Sequence, residues 1–189
     1  DFGGSANADA IVDHPYQFDF YDGGGLDMAF LGMAECNAKG DVNVSKFKDR
    51  IAGCGGFINI TQNTHKVVFC GTFTAKGLRE EIRDGKLVIT HEGAVQKFID
   101  KVGQITFSAE YAHKHNQQVM FITERCVFVL TDKGLVLTEI APGVDLQKDI
   151  LDQMEFVPHI AENLKTMDER LFRDEPMGLA QDIFEQQAG

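Results

Sequence analysis

Two glycine clusters offer the clearest chemical potential in this chain: Gly23, Gly24 and Gly25 in "FDFYDGGGLDMAF", and Gly53, Gly55 and Gly56 in "RIAGCGGFINI". Glycine costs about 0.5–1 kcal/mol relative to alanine inside regular structure, so such clusters mark backbone that needs unusual dihedrals or close approach by another group. Backbone N–H groups freed of side chains can receive an oxyanion or a thioester carbonyl, and Asp27 is placed to hold the first loop's amides. The carboxylates Asp22, Asp27, Glu35, Glu124 and Glu139 all adjoin apolar runs or glycines, where a solvated strand end is the plain alternative. Neither cluster is a nucleotide fingerprint, because no G-x-x-x-x-G-K-[ST] is present and both lack the last glycine of G-x-G-x-x-G. No G-x-S-x-G elbow supports a serine nucleophile. His113 and His115 form the only close histidine pair, and no third ligand follows at metal spacing.

The elements that would position these residues read as α/β. "QFDFYD" alternates into the first glycines as a strand would, and the continuous apolar run of "HKVVFCGTF" fits a strand buried on both faces. "GKLVITHEG", "QITFSAEYA", "QQVMFITERCVFVLT" and "GLVLTEIAPG" are further β-rich runs, with a hairpin expected at Asp132, Lys133 and Gly134. Helices are predicted at "AVQKFIDKV", at "VDLQKDILDQM" with Asp145 as cap, and at "NLKTMDERLF"; the glutamine-rich end reads as frayed.

With 189 residues, 43% of them hydrophobic, the chain can bury the core of one domain. A formal charge of −11 argues against nucleic acid or an anionic membrane as a general partner. Any anionic ligand needs a local basic patch, and Lys46, Lys48 and Arg50 supply one just before the second glycine cluster, with a solvated charge run as the alternative. No apolar run approaches the ~20 residues of a membrane span, so a soluble cytoplasmic protein is expected. Cys36, Cys54, Cys70 and Cys126 form no C-x-x-C pair and read as buried thiols of a reducing compartment, and the two N-x-[ST] triplets at Asn43 and Asn59 are discounted accordingly. The opening "DFGGSANADAI" reads like the middle of a loop, which suggests a piece of a longer polypeptide.

"QFDFYDGGGLDMAFLGMAECNAKGDVNVSKF", "RIAGCGGFINITQNTHKVVFCGTFTAKG", "ITERCVFVLT", "LTEIAPGVDLQKDILDQM" and "MDERLFRDEPMGL" together resemble the carboxy-terminal half of the family I CoA-transferases. The likeness points to the acetate or propionate and 3-ketoacid enzymes whose two halves are fused in one chain. The resemblance implies a mixed, largely parallel sheet flanked by helices, a CoA-transferase-like domain of the NagB/RpiA type, over residues 1–189. It implies movement of CoA between short-chain acyl-CoA and carboxylic acids through a glutamyl-CoA thioester, with coenzyme A as substrate and no permanently bound cofactor or metal. It carries Gly23, Gly24, Gly25 and Asp27 onto the family's first glycine loop and Gly53, Gly55 and Gly56 onto its second, with an oxyanion donor at Gly55 or Gly56. The family's nucleophilic glutamate belongs to a motif upstream of this chain, so the chain alone is expected to be inactive and to work with an amino-terminal CoA-transferase domain in a homo-oligomer. A binding module for CoA without turnover, and a structural or assembly domain, are the competing expectations.

Overall fold

The computed structural model describes residues 6–187; Asp1–Ser5 of the opening segment and the last two residues lie outside the described range. Its centre is a six-stranded sheet with β1 (Met28–Gly32), β2 (Lys66–Cys70), β5 (Gln118–Ile122), β6 (Cys126–Thr131), β7 (Gly134–Ile140) and β8 (His159–Thr166) side by side in that order. The pairs β1/β2, β2/β5 and β7/β8 are parallel, whereas β5/β6 and β6/β7 are antiparallel. A separate hairpin, β3 (Arg79–Arg83) with β4 (Lys86–His91), folds out between β2 and β5. The mixed, largely parallel α/β sheet expected from the sequence is therefore present.

Apolar side chains explain the sheet's strength. Val67, Phe69, Val119, Phe121, Phe128, Leu135 and Leu137 point into one core with Cys36, Phe73, Phe98 and Phe107. Phe69 sits 5.0 Å from Phe107 and 5.1 Å from Phe121 between ring centroids, within the range in which aromatic pairs add to plain burial. Val67, Val68 and Phe69 are all buried, as a continuous apolar run in a parallel strand requires. The hairpin at Asp132 and Lys133 forms as expected, with Thr131 opposite Gly134. Asp145 caps its helical turn by accepting from the Lys148 N–H at 2.8 Å, and Leu146, Ile150 and Leu151 pack toward the core.

Five local expectations are corrected. "QFDFYD" is the end of α1 (His14–Asp22), not a strand. Pro15 opens the helix, and His14, Phe18 and Tyr21 recur at helical spacing, with rings 4.6 and 5.3 Å apart, so the short alternation fitted both periods. "AVQKFIDKV" is extended rather than helical, because Cys36 N–H donates to the Lys97 carbonyl and Ile99 N–H to the Cys36 carbonyl. In "QITFSAEYA" only Phe107 is drawn into pairing, with Val42; Ser108 then caps α3 (Ala109–Lys114) by accepting from Tyr111 N–H. In "NLKTMDERLF" the strand β8 runs to Thr166 and only Glu169–Phe172 turns helical, while the glutamine-rich end forms α4 (Leu179–Gln187).

Candidate functional site

The second glycine cluster opens α2 (Phe57–Gln62), which runs back to β2. At about 1.5 Å per residue this helix spans roughly 9 Å, and its last residues lie where β2 begins. At the other end of the helix Phe57 stacks on Phe69, the last residue but one of β2, with ring centroids 5.8 Å apart, so Gly55 and Gly56 sit toward the end at which the parallel strands finish. The crevice outside the carboxyl ends of such strands is the usual ligand position in α/β sheets. Gly53 and Gly55 take φ of +83° and +52°, and a Cβ at either would meet nothing within 4 Å. Neither Gly55 N–H nor Gly56 N–H has a protein acceptor among the described residues. A cleft of about 850 Å³ lies beside them, lined by Val12, His14, Phe18, Tyr21, Asn59 and Ile60 among others.

The first cluster is placed differently. Gly24 N–H donates to the Tyr21 carbonyl at 3.0 Å and Gly25 N–H to the Phe20 carbonyl at 2.9 Å, the paired bonds of a Schellman helix end, with Gly24 at φ +81° in the left-handed position. At Gly25 a Cβ would lie 2.3 Å from the Phe20 ring. Helix α1 runs alongside α2 in the same direction: Phe18 covers Gly56, Asp22 accepts from Asn59 Nδ2 at 3.1 Å, and Asn63 Nδ2 donates to the Asp22 carbonyl at 2.6 Å. Gly23, Gly24, Gly25 and Asp27 are thereby carried to the start of β1, the opposite end of the helix pair from Gly55 and Gly56. Asp27 is fully exposed there, 4.0 Å from His65 Nδ1, and lines a cleft of about 480 Å³ rather than holding the loop's amides.

Lys46 and Arg50 belong to a short hairpin, Lys46–Phe47 against Arg50–Ile51, with Lys48 at its tip in the left-handed region. The Ser45 carbonyl accepts from Ala52 N–H at 2.8 Å and Gly53 N–H at 3.0 Å, which ties the base of this basic hairpin to the second glycine cluster.

The carboxylates near strand ends are engaged elsewhere. Glu35 accepts from Asn43 Nδ2 at 2.6 Å and Gly103 N–H at 2.8 Å. Glu124 accepts from Phe73 N–H at 2.8 Å and from Arg125 Nε at 2.7 Å. Arg125, a residue sequence reasoning passed over, is fully buried. Its terminal nitrogens clasp Glu92 at 2.8 Å each, one also reaches the Asp149 carbonyl, and its guanidinium lies 4.9 Å from the Phe73 ring centre. Burial works to raise the Glu92 carboxyl, but hydrogen bonds from Arg125 and Thr74, the guanidinium charge and the Gly93 N–H hold it at about 2. The signal that marked this network was a charged pair, Glu124–Arg125, inside an apolar run. His113 on α3 and His115 just after it are exposed, and no group of three metal-ligating side chains occurs among the described residues. Of the expected buried thiols, Cys36 and Cys126 are buried, Cys54 is half-buried and Cys70 is exposed. No helix among the described residues is long and apolar enough to cross a membrane.

Fold and site together define an α/β domain with a glycine-rich loop toward the carboxyl ends of its parallel strands. Over nearly its whole length it is homologous to CoA-transferases. It is 53% identical over 183 residues to a caffeate CoA-transferase of Acetobacterium woodii, covering 94% of this chain and 35% of that protein. It is 55% identical over 177 residues to the acetate CoA-transferase YdiF of Escherichia coli strain K12, covering 94% and 33% respectively. The crystal structure of the acyl-CoA transferase YdiF apoenzyme from E. coli O157:H7 superposes with a TM-score of 0.90 over 93% of this chain and 34% of that one. A thioester complex of the O157:H7 protein with CoA superposes with a TM-score of 0.89, at 55% identity over 91% of this chain and 34% of that one. The chain spans about a third of the length of the curated relatives it matches. No family model matches the chain.

Proposed function

We propose that this chain is the carboxy-terminal part of a family I CoA-transferase that moves CoA between short-chain acyl-CoA and carboxylic acids of the acetate, propionate or 3-ketoacid class. The identity of 53–55% to CoA-transferases over 94% of the chain carries this reading. A carboxylate is a weak nucleophile, so the reaction needs covalent catalysis together with donors where negative charge develops. The open N–H groups of Gly55 and Gly56 are the oxyanion donors in this reading, and Gly53 lends the loop its left-handed turn. The nucleophilic glutamate comes from outside these residues: no carboxylate lines the described cleft beside Gly55 and Gly56, and Glu35 and Glu124 are held in structural hydrogen bonds. Lys46, Lys48 and Arg50, tied to the same loop, meet the anionic part of CoA, whereas Gly23, Gly24, Gly25 and Asp27 act through the seating of α1. An amino-terminal domain completes the site, and the assembled enzyme is a soluble cytoplasmic homo-oligomer.

The test is an assay of acetyl-CoA to propionate transfer by the 189-residue chain and by the assembled enzyme, meaning the chain joined to or combined with the remaining two-thirds of CoA-transferase length. The assembled enzyme is expected to transfer CoA and to accumulate a covalent CoA adduct visible by mass, while the chain alone does neither. Transfer by the chain alone overturns the external nucleophile.

A further inference from the structure

The outer side of the sheet is only half covered. Residues Met28, Phe30 and Gly32 of β1 share a face with Lys66, Val68 and Cys70 of β2 and with Met120 and Ile122 of β5, since side chains alternate along each strand and the parallel register aligns Phe30, Val68 and Met120. Over β5 this face is closed by Leu87 of the β3/β4 hairpin, with Met167 and Phe172, packed around Val127 and Ala141. The cover stops there. Val68 in the middle of β2 is still buried, but over β1 Met28 is 42% exposed and Phe30 is 67% exposed, and Cys70 at the end of β2 lies at the surface. Parallel strands are normally covered on both faces, which makes an apolar, half-naked parallel edge an unfinished structure.

The edge itself is also open. Among the described residues β1 pairs only with β2, so alternate N–H and C=O groups of "MAFLG" face outward with no ladder partner. Neither lysine nor proline, nor a bulge against β2, protects this strand, and those are the devices by which natural edges avoid pairing. Helix α1, which leads into β1, has no buried residue and exposes Tyr16 and Phe20.

We infer that the open edge of β1 and the bare face carrying Met28 and Phe30 are the docking surface for polypeptide that CoA-transferases carry beyond this stretch, which adds a strand to β1 and lays an apolar helix over Phe30. The occupant is argued from extent: the matched relatives are about three times as long as the part this chain covers. It is argued also from direction, because β1 ends at the same edge of the sheet as Gly55 and Gly56, where a nucleophile from outside must arrive. This inference rests on the reading of the chain as part of a CoA-transferase.

Hydrogen–deuterium exchange of a peptide spanning residues 26–34 tests it, measured in the 189-residue chain and in the assembled enzyme. The expected result is exchange slowed about a hundredfold on assembly, as an open edge becomes an interior strand. Phe30→Lys should leave the thermal midpoint of the 189-residue chain unchanged, because the side chain is exposed there, and should abolish or greatly weaken its association with the remaining two-thirds. Equal exchange in both states, or undiminished association of Phe30→Lys, overturns the inference. So does protection of β1 in the 189-residue chain through self-association, which would make a second copy the occupant. The transfer assay separates the two readings: an assembled enzyme with β1 protected but no CoA transfer removes the functional proposal and leaves the docking surface supported.

Discussion

A single methyl group distinguishes the glycines on either side of the α2 entrance. Gly55 has open space where a Cβ would stand, whereas a Cβ on Gly56 would lie 2.8 Å from the Phe18 ring and one on Gly25 would lie 2.3 Å from Phe20. Gly55→Ala should therefore cost only about 1 kcal/mol of stability, through its left-handed φ, and should lower turnover of the assembled enzyme about 10²–10³-fold if its N–H is an oxyanion donor. Steady-state kinetics and thermal midpoints measured together decide this, and near-normal turnover would remove Gly55 from that role. Gly25→Ala should instead push Phe20 off its seat at a cost of about 1–3 kcal/mol, read as a fall in midpoint and faster amide exchange in α1. The buried Arg125 supports a different prediction. Arg125→Met leaves Glu92 and Glu124 without their cation and should destabilise the chain by about 3 kcal/mol, somewhat below a fully buried pair because Glu92 is partly exposed. Because Glu92 titrates at about 2 in the folded chain and at about 4.3 when unfolded, its contribution is complete above the unfolded value and is lost as pH falls through the folded one. Chemical denaturation from pH 6 to pH 2 should show wild-type stability declining across that window and a shallower decline in Arg125→Met.

At the level of elements, turn chemistry decides what periodicity leaves open. Helix α1 ends where Gly24 supplies the left-handed residue of its Schellman motif, so the three glycines in "DGGGLD" terminate a helix and admit Phe20, while the strand begins only at Met28. The β6/β7 hairpin depends on Gly134 in the same way but with less freedom: its φ is +91°, and a Cβ would stand 2.4 Å from the Ala38 carbonyl oxygen. That carbonyl accepts from Leu135 N–H at 3.1 Å, so the Asn37–Gly40 turn is docked against the hairpin. Backbone cannot swing aside as a ring can. Gly134→Ala should cost about 3 kcal/mol from strain and overpacking together, lowering the thermal midpoint by roughly 6–12 °C at about 2–4 °C per kcal/mol. A midpoint within 2 °C of wild type would show that the turn yields at little cost.

Across the whole molecule, the apolar runs of "HKVVFC", "QVMFI", "CVFVL" and "GLVL" were enough to foretell strands, and the first of them a strand buried on both faces, because such a strand needs an unbroken apolar stretch whatever lies around it; the largely parallel pairing followed only from the likeness to CoA-transferases. The hairpin at Gly134 and the cap at Asp145 were legible for the same reason: each is a local rule satisfied within a few residues. The ordered segments quoted from the chain likewise carried the likeness to CoA-transferases, since a match spread over most of a sequence does not depend on any one contact. Tertiary structure alone decided the rest. "AVQKFIDKV" has a helix-like spacing of Val95, Phe98 and Val102, yet it is held extended by Cys36, a partner 61 positions away from Lys97, which no local pattern reports. The two glycine clusters look equivalent in sequence, but the parallel run of α1 beside α2 sends one to the start of the strands and the other toward their ends. Composition determines which stretches can be buried; only the path of the chain in space determines which exposed backbone shares a site.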